Sequence, residues 1–543
     1  MHKISILIVV SVISLSCSFS TKKQEKTTKN NIATITILHT SDIHGQLFPH
    51  DELFWENEQI TFKKLGGLAH MKTLFEKEKS KNPEGTIILD GGDLIQGSAV
   101  AALSKGAAFG PIIKAMEYDF LIPGNWEVVY GKEQMMRVLE SFETPIISGN
   151  MYHESTGKHI YAPYIIKEIK GVKLGFIAYN DPEIPIRQNP SFSKGIRFDP
   201  VQENLSKLIK ELKEEKKVDI LFLVTHIGIS KQYDLANQPY LEQVDYILGN
   251  DTHERIRKPI KGKYTKITEP GAFASFVGKL SLKVKNGTII EENYNLIEVE
   301  PKIYPSNAIV ASKIEAAVAP YTSITEDIIG YTSTPLYRYF VVENPMDNFI
   351  TDALRWKTGT DIAISNGFRF SPPINVEKNG KAAITKGHLW NMVPVNENVK
   401  IGKASGKQIK NWLENEIHNV FAKNPTERFG GWLLRFSGME LLFYSNKEKG
   451  QRIAEIKINH IPLDEKKLYT IAACRREGEP MHMLCRMPHA IDTKIMDYTI
   501  HDVLEDYLKE KGTIAPVNDG RARAIDLPPN VLSQLPGTDY HFH

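Results

Sequence analysis

At 543 residues the chain exceeds what one ordinary hydrophobic core serves, so at least two domains are expected. Apolar residues at 41% and charged residues at 24% exclude a disordered or membrane-embedded chain and describe a globular one. Sixty-seven basic against 65 acidic residues leave a net charge of +2, which excludes the broad basic field that a nucleic-acid partner requires.

The first element is MHKISILIVVSVISLSCSFS, with a basic start, an apolar run of signal-peptide length and small residues before Cys17. The run is short for a bilayer span. It resembles a bacterial lipoprotein signal, which implies that Cys17 is lipidated and becomes the mature first residue. Ser14 departs from that pattern, where a larger aliphatic residue is usual, so plain secretion is the alternative. Residues 18–31 are polar, Lys-rich and aperiodic, a flexible tether. The expectation is an exported protein of the periplasm or cell envelope, touching a membrane only through a lipid anchor. Cys474 and Cys485 are then the remaining cysteines; an exported chain can pair them, and two buried thiols are the equal alternative.

From residue 32 to about 300 a unit recurs: a β-branched run, a Gly-containing polar loop and an amphipathic segment. The predicted strands are ATITILHT, GTIILDG, DFLIPG, KLGFIAYN, VDILFLVTH and VDYILGN. Such continuous apolar runs suit strands covered on both faces in a layered α/β domain. In ENLSKLIKELKEEKK, Leu205, Leu208, Ile209 and Leu212 recur at helical spacing with Lys and Glu opposite, which predicts an amphipathic helix. Near residue 300 the pattern fades. The chain is therefore divided into a signal (1–17), a tether (18–31), a first domain (32–300), a linker helix (301–330), a second domain (331–527) and a Pro-rich tail (528–543). There is no internal repeat.

Five of the six predicted strands end in metal-capable residues: Asp42 and His44, then Asp93, Asn125, His226, and finally Asp251 with His253. Strand ends of a parallel sheet converge on one edge, where open α/β folds place ligands. One polar side chain after a strand is an ordinary turn. A set drawn only from Asp, His and Asn at five strand ends predicts a metal cluster, because gathered carboxylates repel unless cations hold them. His50, His70, His418 and His501 lack ligand spacing and read as surface or helix residues. Asn150 reads as a support behind the site, and Gly66-Gly67 and Gly91-Gly92 as points of close backbone approach.

The stretches SDIHG, GGDLIQGS, GNWE, VTHIG and GNDTH, in this order, resemble the five signatures of calcineurin-like metallophosphoesterases. With the C-terminal region, the chain resembles the 5′-nucleotidase family over most of its length. The resemblance implies a four-layer α/β metallophosphoesterase sandwich flanked by helices, followed by a smaller α+β substrate-binding domain. It implies two divalent metal ions, one held by Asp42, His44, Asp93 and His253, the other by Asp93, Asn125, His226 and Asp251, with Asp93 bridging. Asp251 departs from the pattern, which has histidine there. A carboxylate adds charge and hardness, favouring manganese, with magnesium or zinc as alternatives. Such metals lower the pKa of a water and neutralise charge on the group attacked, but supply no proton to the leaving group.

In 5′-nucleotidases the residue after the Asn of the third motif is a His, paired with an Asp three positions on. Here Trp126 and Val129 stand in both places. Indole donates no useful proton, and general acid–base catalysis contributes ~10²–10⁴-fold, so an alkoxide leaving group would suffer. A thiolate, an aryl oxide or a phosphate would not. The sulfur-oxidation thiosulfohydrolases carry Trp in this motif, and the chain resembles them also at GGDLIQGSAVAALSKG, NPMDNFITDALR and SNGFRF. Asn125 departs from them, where they have His. The alternative is that Trp126 is packing at the rim of the cleft.

In the second domain, Trp432 of RFGGWLLRFSGME matches an aromatic that stacks on the base in nucleotidases; its alternative is a core residue. Met481 and His482 stand where a second aromatic is usual. Arg369 of SNGFR matches an anion-binding position, suited to phosphate or sulfonate, with Asn366 beside it. The candidate catalytic residues are thus Asn125, Trp126 and Arg369, and the candidate substrate-binding residues Asn366, Arg369 and Trp432. The expected activity is metal-dependent hydrolysis of small phosphoesters such as nucleotides. A reaction on a sulfur-bound, carrier-borne sulfonate is the second reading. A binding lipoprotein with weak turnover is the third.

Overall fold

A computed structural model describes residues 32–365, 371–376 and 380–531. Cys17, Asn366 and Arg369 lie outside these residues. In the N-terminal part, two sheets pack face to face. The first runs in the order Thr288–Glu298, Phe276–Lys285, Ala33–Thr40, Thr86–Asp90, Phe120–Leu121. The second runs Ile260–Lys261, Lys266–Thr268, Tyr246–Gly249, Ile220–His226, Val172–Asn180, Tyr164–Ile169. Ala33–Thr40 pairs in parallel with Thr86–Asp90, and Ile220–His226 in parallel with both its neighbours.

The continuous apolar runs are explained by this arrangement. Ile35, Ile37, Ile87 and Leu89 meet Phe176, Ala178, Phe222 and Val224 between the sheets. On the outer face of the first sheet, Leu38, Ile88 and Leu121 are covered by helices Leu68–Lys81, Gly110–Met116 and Lys132–Glu140. On the outer face of the second, Ile177, Leu221 and Leu223 pack under Leu205, Leu208, Ile209 and Leu212. The result is a helix–sheet–sheet–helix stack. Each buried Ile, Leu or Phe side chain contributes ~1.5–3 kcal/mol by leaving water.

Two elements differ from the sequence pattern. DFLIPG yields only the two-residue strand Phe120–Leu121, because Pro123 and the following Gly-Asn turn the chain towards the sheet edge. The predicted helix over 203–217 is α-helical only at Leu205–Lys210 and continues as a π-turn at Glu211–Glu215, which keeps Leu212 buried. His50 is neither a helix residue nor fully exposed. It sits on the hairpin strand His50–Glu56, with its ring against the hydroxyl of Ser275.

The helix Ala308–Val318, capped by the Asn307 side chain, leads into the C-terminal part. There a sheet ordered Arg435–Ser437, Ile362–Ser365, Leu468–Cys474, Asn398–Ser405, Ile491–Thr499 is packed by helices Pro345–Thr358, Gly406–Phe421 and Ile500–Lys511. Its core holds a buried charge cluster. Asp347 accepts from Arg338 Nε at 2.9 Å and from Arg435 Nε at 3.1 Å, and Arg435 also donates to the carbonyls of Phe340 and Val341. The two parts meet where Glu52 of the hairpin pairs with buried Arg255 at 2.5 Å and accepts from Tyr339. Among the described residues no helix is long and apolar enough to cross a membrane.

Candidate metal centre

The parallel strands Ala33–Thr40 and Thr86–Asp90 end side by side, and their loops stay zipped together past the sheet. The amides of Asp42, His44 and Gly45 donate to the carbonyls of Gly92, Asp93 and Leu94. This brings the first two motifs to one edge. Asp42, His44, Asp93, Asp251 and His253 all have positive φ, between 49° and 90°, in the region that non-glycine residues avoid. Backbone strain gathered on the predicted ligands is what a functional site stores. Gly92 has φ 96°, and a Cβ there would lie 2.3 Å from the amide nitrogen of Gly124, so the first two motifs and the third can approach only through glycine.

Glu127 fixes the third motif against the second. Its fully buried carboxylate accepts from the amides of Leu94 at 2.7 Å, Asp93 at 2.9 Å and Gly124 at 2.6 Å. The amide of Trp126 donates to Asp93 Oδ1 at 2.8 Å, leaving Oδ2 to face the cluster. Behind Asn125, Asn180 donates to the carbonyl of Gly124 at 2.7 Å, and Asn150 in turn holds Asn180 through its carbonyl and amide.

The side chains converge as follows. Asp42 Oδ1 lies 3.5 Å from His253 Nε2, 3.8 Å from His226 Nε2 and 3.9 Å from His44 Nε2. Asp93 Oδ2 lies 3.2 Å from His226 Nε2 and 3.7 Å from His44 Nε2. Asp42, His44 and His253 offer three ligand atoms within 4.8 Å of one another, and Asp42, Asp93 and His226 do likewise. Asp42 is therefore common to both groups, where the motif carry-over gives the shared place to Asp93. Asn125 Nδ2 donates to Asp251 Oδ1 at 2.6 Å, and that oxygen is 3.8 Å from His226 Nε2.

The donor set fits divalent cations. Asp42 is fully buried, and its Oδ1 receives no hydrogen bond among the described residues while three imidazoles surround it. A buried carboxylate oxygen left without a donor costs free energy unless a cation meets it. Imidazole on neutral nitrogen, carboxylate and amide oxygen together make a borderline-to-hard site. Without cations the electrostatics are strained. Burial drives the Asp42 carboxyl well above its usual range, with His226 opposing and Asp93 adding to the rise. Burial also opposes a charge on His226, but Asp93, Asp42 and Asp251 together outweigh it and hold that imidazole well above its usual value. Glu127 is pushed up to about 7 by burial and by Asp93, against the lowering effect of the amides it accepts from.

Several residues at the centre carry no motif signal. Arg187, in the short helix Ile184–Arg187, pairs with buried Asp181 and lies 3.4 Å from Asp251 Oδ2. Gln188 donates to the Asn125 carbonyl at 2.7 Å and to Asn125 Oδ1 at 3.1 Å. His39 is buried one strand-end away, bonded to Asn250 Oδ1 at 2.8 Å and lowered to about 4 by burial against that bond. None could be found by spacing, because Arg187 meets Asp251, Gln188 meets Asn125 and His39 meets Asn250 only across long stretches of chain.

Trp126 is 7% exposed and Val129 8%. The two pack together, with Tyr130, Phe192 and Val395 against them. Within that cluster the Tyr130 phenol is raised far above neutrality by burial. Trp432 packs against the C-terminal core, partly buried, and Met481 is exposed. Cys474 and Cys485 lie in mutual hydrogen-bond contact as thiols.

Residues 35–255 match the model of calcineurin-like phosphoesterases, and residues 325–474 match that of the 5′-nucleotidase C-terminal domain. The chain belongs to the 5′-nucleotidase family. Membership makes it a metal-dependent phosphoester hydrolase, and its convergent ligands suit the divalent ions which that fold implies. It is 24% identical over 529 residues to the 5′-nucleotidase of Vibrio vulnificus, covering 88% of this chain and 91% of that one. It is 23% identical over 558 residues to the trifunctional nucleotide phosphoesterase YfkN of Bacillus subtilis, spanning 92% of this chain but about a third (35%) of that longer protein. Among solved structures, the sulfate thiohydrolase SoxB of Thermus thermophilus superposes with a TM-score of 0.83 at 21% identity, covering 92% of this chain and 98% of that one. The 5′-nucleotidase precursor of the same organism gives 0.78 at 22% identity, covering 91% and 100%. At such identities these structures speak for the fold alone.

Proposed function

We propose that the protein is an exported hydrolase with two metal ions, manganese favoured, which cleaves small phosphoesters, nucleotides among them, whose leaving group departs as a stable anion. The observation that carries the reading is Asp42 Oδ1, buried without a hydrogen-bond donor among the described residues and set amid His44, His226 and His253. Asp42, His44 and His253 would hold one ion, and Asp93, His226, Asn125 and Asp251 the other, with Asp42 or Asp93 between them. Bound there, the ions would acidify a water and neutralise charge on the phosphoryl group. The protein's own work is positional. Glu127 and the Trp126 amide hold Asp93 in place, and Gln188 holds Asn125. Asn125 and Arg369 would orient the anionic oxygens. A linker at 301–330 between the two domains would leave the substrate a cleft between the parts, and a lipid at Cys17 would tether the whole.

The leaving-group preference rests on Trp126. With Val129, Phe192 and Val395 around it, that wall offers no proton to a departing alkoxide. A phosphoanhydride of a nucleoside polyphosphate or an aryl phosphate needs none. The same apolar wall favours a second reading, hydrolysis of a sulfur-bound sulfonate on a small molecule or a carrier, since a thiolate is also a stable anion. Manganese-loaded protein would be offered ADP, p-nitrophenyl phosphate, AMP and an S-sulfonated thiol. The expected result is a kcat/KM on ADP and the aryl phosphate about 10²-fold or more above that on AMP. Equal rates on AMP would overturn the leaving-group argument, release of sulfate alone would establish the second reading, and silence on all four would mark a binding protein.

A further inference from the structure

Asp251 and Asn125, both expected at the second metal, are held by two consecutive residues of one segment. Arg187 reaches Asp251 Oδ2 from Nη1 at 3.4 Å and Asp251 Oδ1 from Nη2 at 3.4 Å. Its Nη1 is anchored on Asp181 Oδ2, a carboxylate with no solvent exposure. Gln188, the next residue, takes Asn125. The segment itself is gripped from the C-terminal part. Arg476 donates to the carbonyls of Ile186 at 3.0 Å and Gln188 at 2.6 Å, and Asn189 donates to Glu397 at 2.7 Å.

We infer that Arg187 is a positioning residue which makes a carboxylate workable at position 251: Arg187 and Asp251 form a matched, charge-balanced unit at the second metal position. The inference rests on the metal centre proposed above and adds a residue to it. Its physical basis is charge and geometry. Buried Asp42 and Asp93 and the 6% exposed side chain of Asp251 bring three carboxylates to one place, and an anionic substrate must approach them. A guanidinium that faces both oxygens of Asp251 and is tied to Asp181 offsets one of those negative charges and fixes the orientation of the carboxylate. Oδ1, the inner oxygen, is the one that also meets Asn125 and faces His226. Three carboxylate oxygens on two residues are met by the two Nη atoms of one planar fork, which a lysine ammonium cannot reproduce. Groups that orient a ligand in this way typically change metal affinity by about 10–100-fold when removed.

The test is a double-mutant cycle on metal-stripped full-length protein, read by calorimetric titration with Mn²⁺ and, separately, by KM and kcat on p-nitrophenyl phosphate. Arg187→Met alone is expected to weaken Mn²⁺ at the second site by about 10–100-fold and to raise KM for the anionic substrate. Asp251→His alone leaves the guanidinium facing a neutral imidazole and is expected to weaken Mn²⁺ as well. Combining the two should recover affinity to within about threefold of Asp251→His alone or better, because the arginine no longer has a carboxylate to serve. Arg187→Lys keeps a charge against Asp181, so it guards against misfolding. It is expected to lose part of the affinity and none of the thermal stability. Losses that simply multiply in the double variant, or an Arg187→Lys protein binding Mn²⁺ like the unaltered chain, would overturn the inference while leaving the metal centre intact. An unaltered chain that binds no Mn²⁺ would remove both.

Discussion

Replacing Glu127 with Gln separates the positioning of the metal loops from the ligands themselves. The carboxylate accepts three buried amides, from Leu94 on Oε1 and from Asp93 and Gly124 on Oε2. A glutamine keeps one oxygen and turns an NH₂ towards the remaining donors, so at least one buried N–H loses its acceptor. Each such loss costs about 1–3 kcal/mol. Glu127→Gln should therefore lower unfolding free energy by roughly 1–6 kcal/mol, and Glu127→Ala by about 3–9 kcal/mol before water refills the gap. The second consequence is specific to the site. Asp93 and Asn125 flank the amides that are freed, so Mn²⁺ affinity should fall by about 10–100-fold. Urea unfolding of metal-free protein reads the first effect, and calorimetric Mn²⁺ titration at a temperature where the variant is folded reads the second. A stably folded Glu127→Gln protein that binds Mn²⁺ as tightly as the unaltered chain would refute the claim that Glu127 sets the ligand geometry.

Restoring an acid–base pair with Trp126→His and Val129→Asp should raise kcat on AMP by more than about tenfold, within the ~10²–10⁴-fold range of such catalysis, with little gain on the aryl phosphate; equal gains on both would dismiss it. Asp347→Ala leaves Arg338 and Arg435 buried without their shared carboxylate and should cost about 3–5 kcal/mol in urea unfolding, with Asp347→Asn costing less. His388 and His501 are lowered to about 4 by burial, so the unfolded chain binds more protons between there and 6.5. Their contribution is fully present above pH 6.5 and is lost as pH falls towards 4. Unfolding at pH 7 and 4.5 should show about 2.5 kcal/mol less acid loss for His501→Gln than for the unaltered chain. Chelation should lower the melting temperature, and added Mn²⁺ should restore it in proportion to the logarithm of its concentration.

How much of this was legible in the sequence follows from how local each signal is. A run such as ILFLVTH declares a doubly covered strand and places His226 at its end in one reading, because burial and position are both written along the chain. The strand over Phe120–Leu121 is shorter than its apolar run suggests for the complementary reason: the run continues, but Pro123 turns the backbone before a ladder can extend. Glu127 lies inside a recognised motif, yet its task is defined by amides more than 30 residues upstream, which no spacing encodes. Arg187 sits in the short helix Ile184–Arg187, which carries no motif, and its meaning depends on Asp181 and Asp251 arriving from two different strand ends. The candidate ligands announced themselves by their place at strand ends, and so did Asn150 behind them; Glu127, Arg187 and Gln188 did not.

The position that stood out most in the sequence shows why metal binding and proton transfer can change separately here. What the second motif needs from residue 126 is its backbone: the Trp126 amide donates to Asp93 Oδ1 whatever side chain it carries. The indole points the other way, into Val129, Phe192 and Val395, and Val395 belongs to the C-terminal part. A change at 126 thus leaves the metal ligands in place while exchanging a proton donor for apolar contact across the two halves. The neighbouring segment behaves in the opposite sense. Arg187 and Gln188 touch Asp251 and Asn125 through their side chains, and the C-terminal part grips the backbone of the same segment at Ile186 and Gln188. On the proposed reading, side-chain changes at 126 and 129 would alter leaving-group preference at little cost to metal affinity, whereas repacking of 186–189 would disturb Asp251, Asn125 and the junction together.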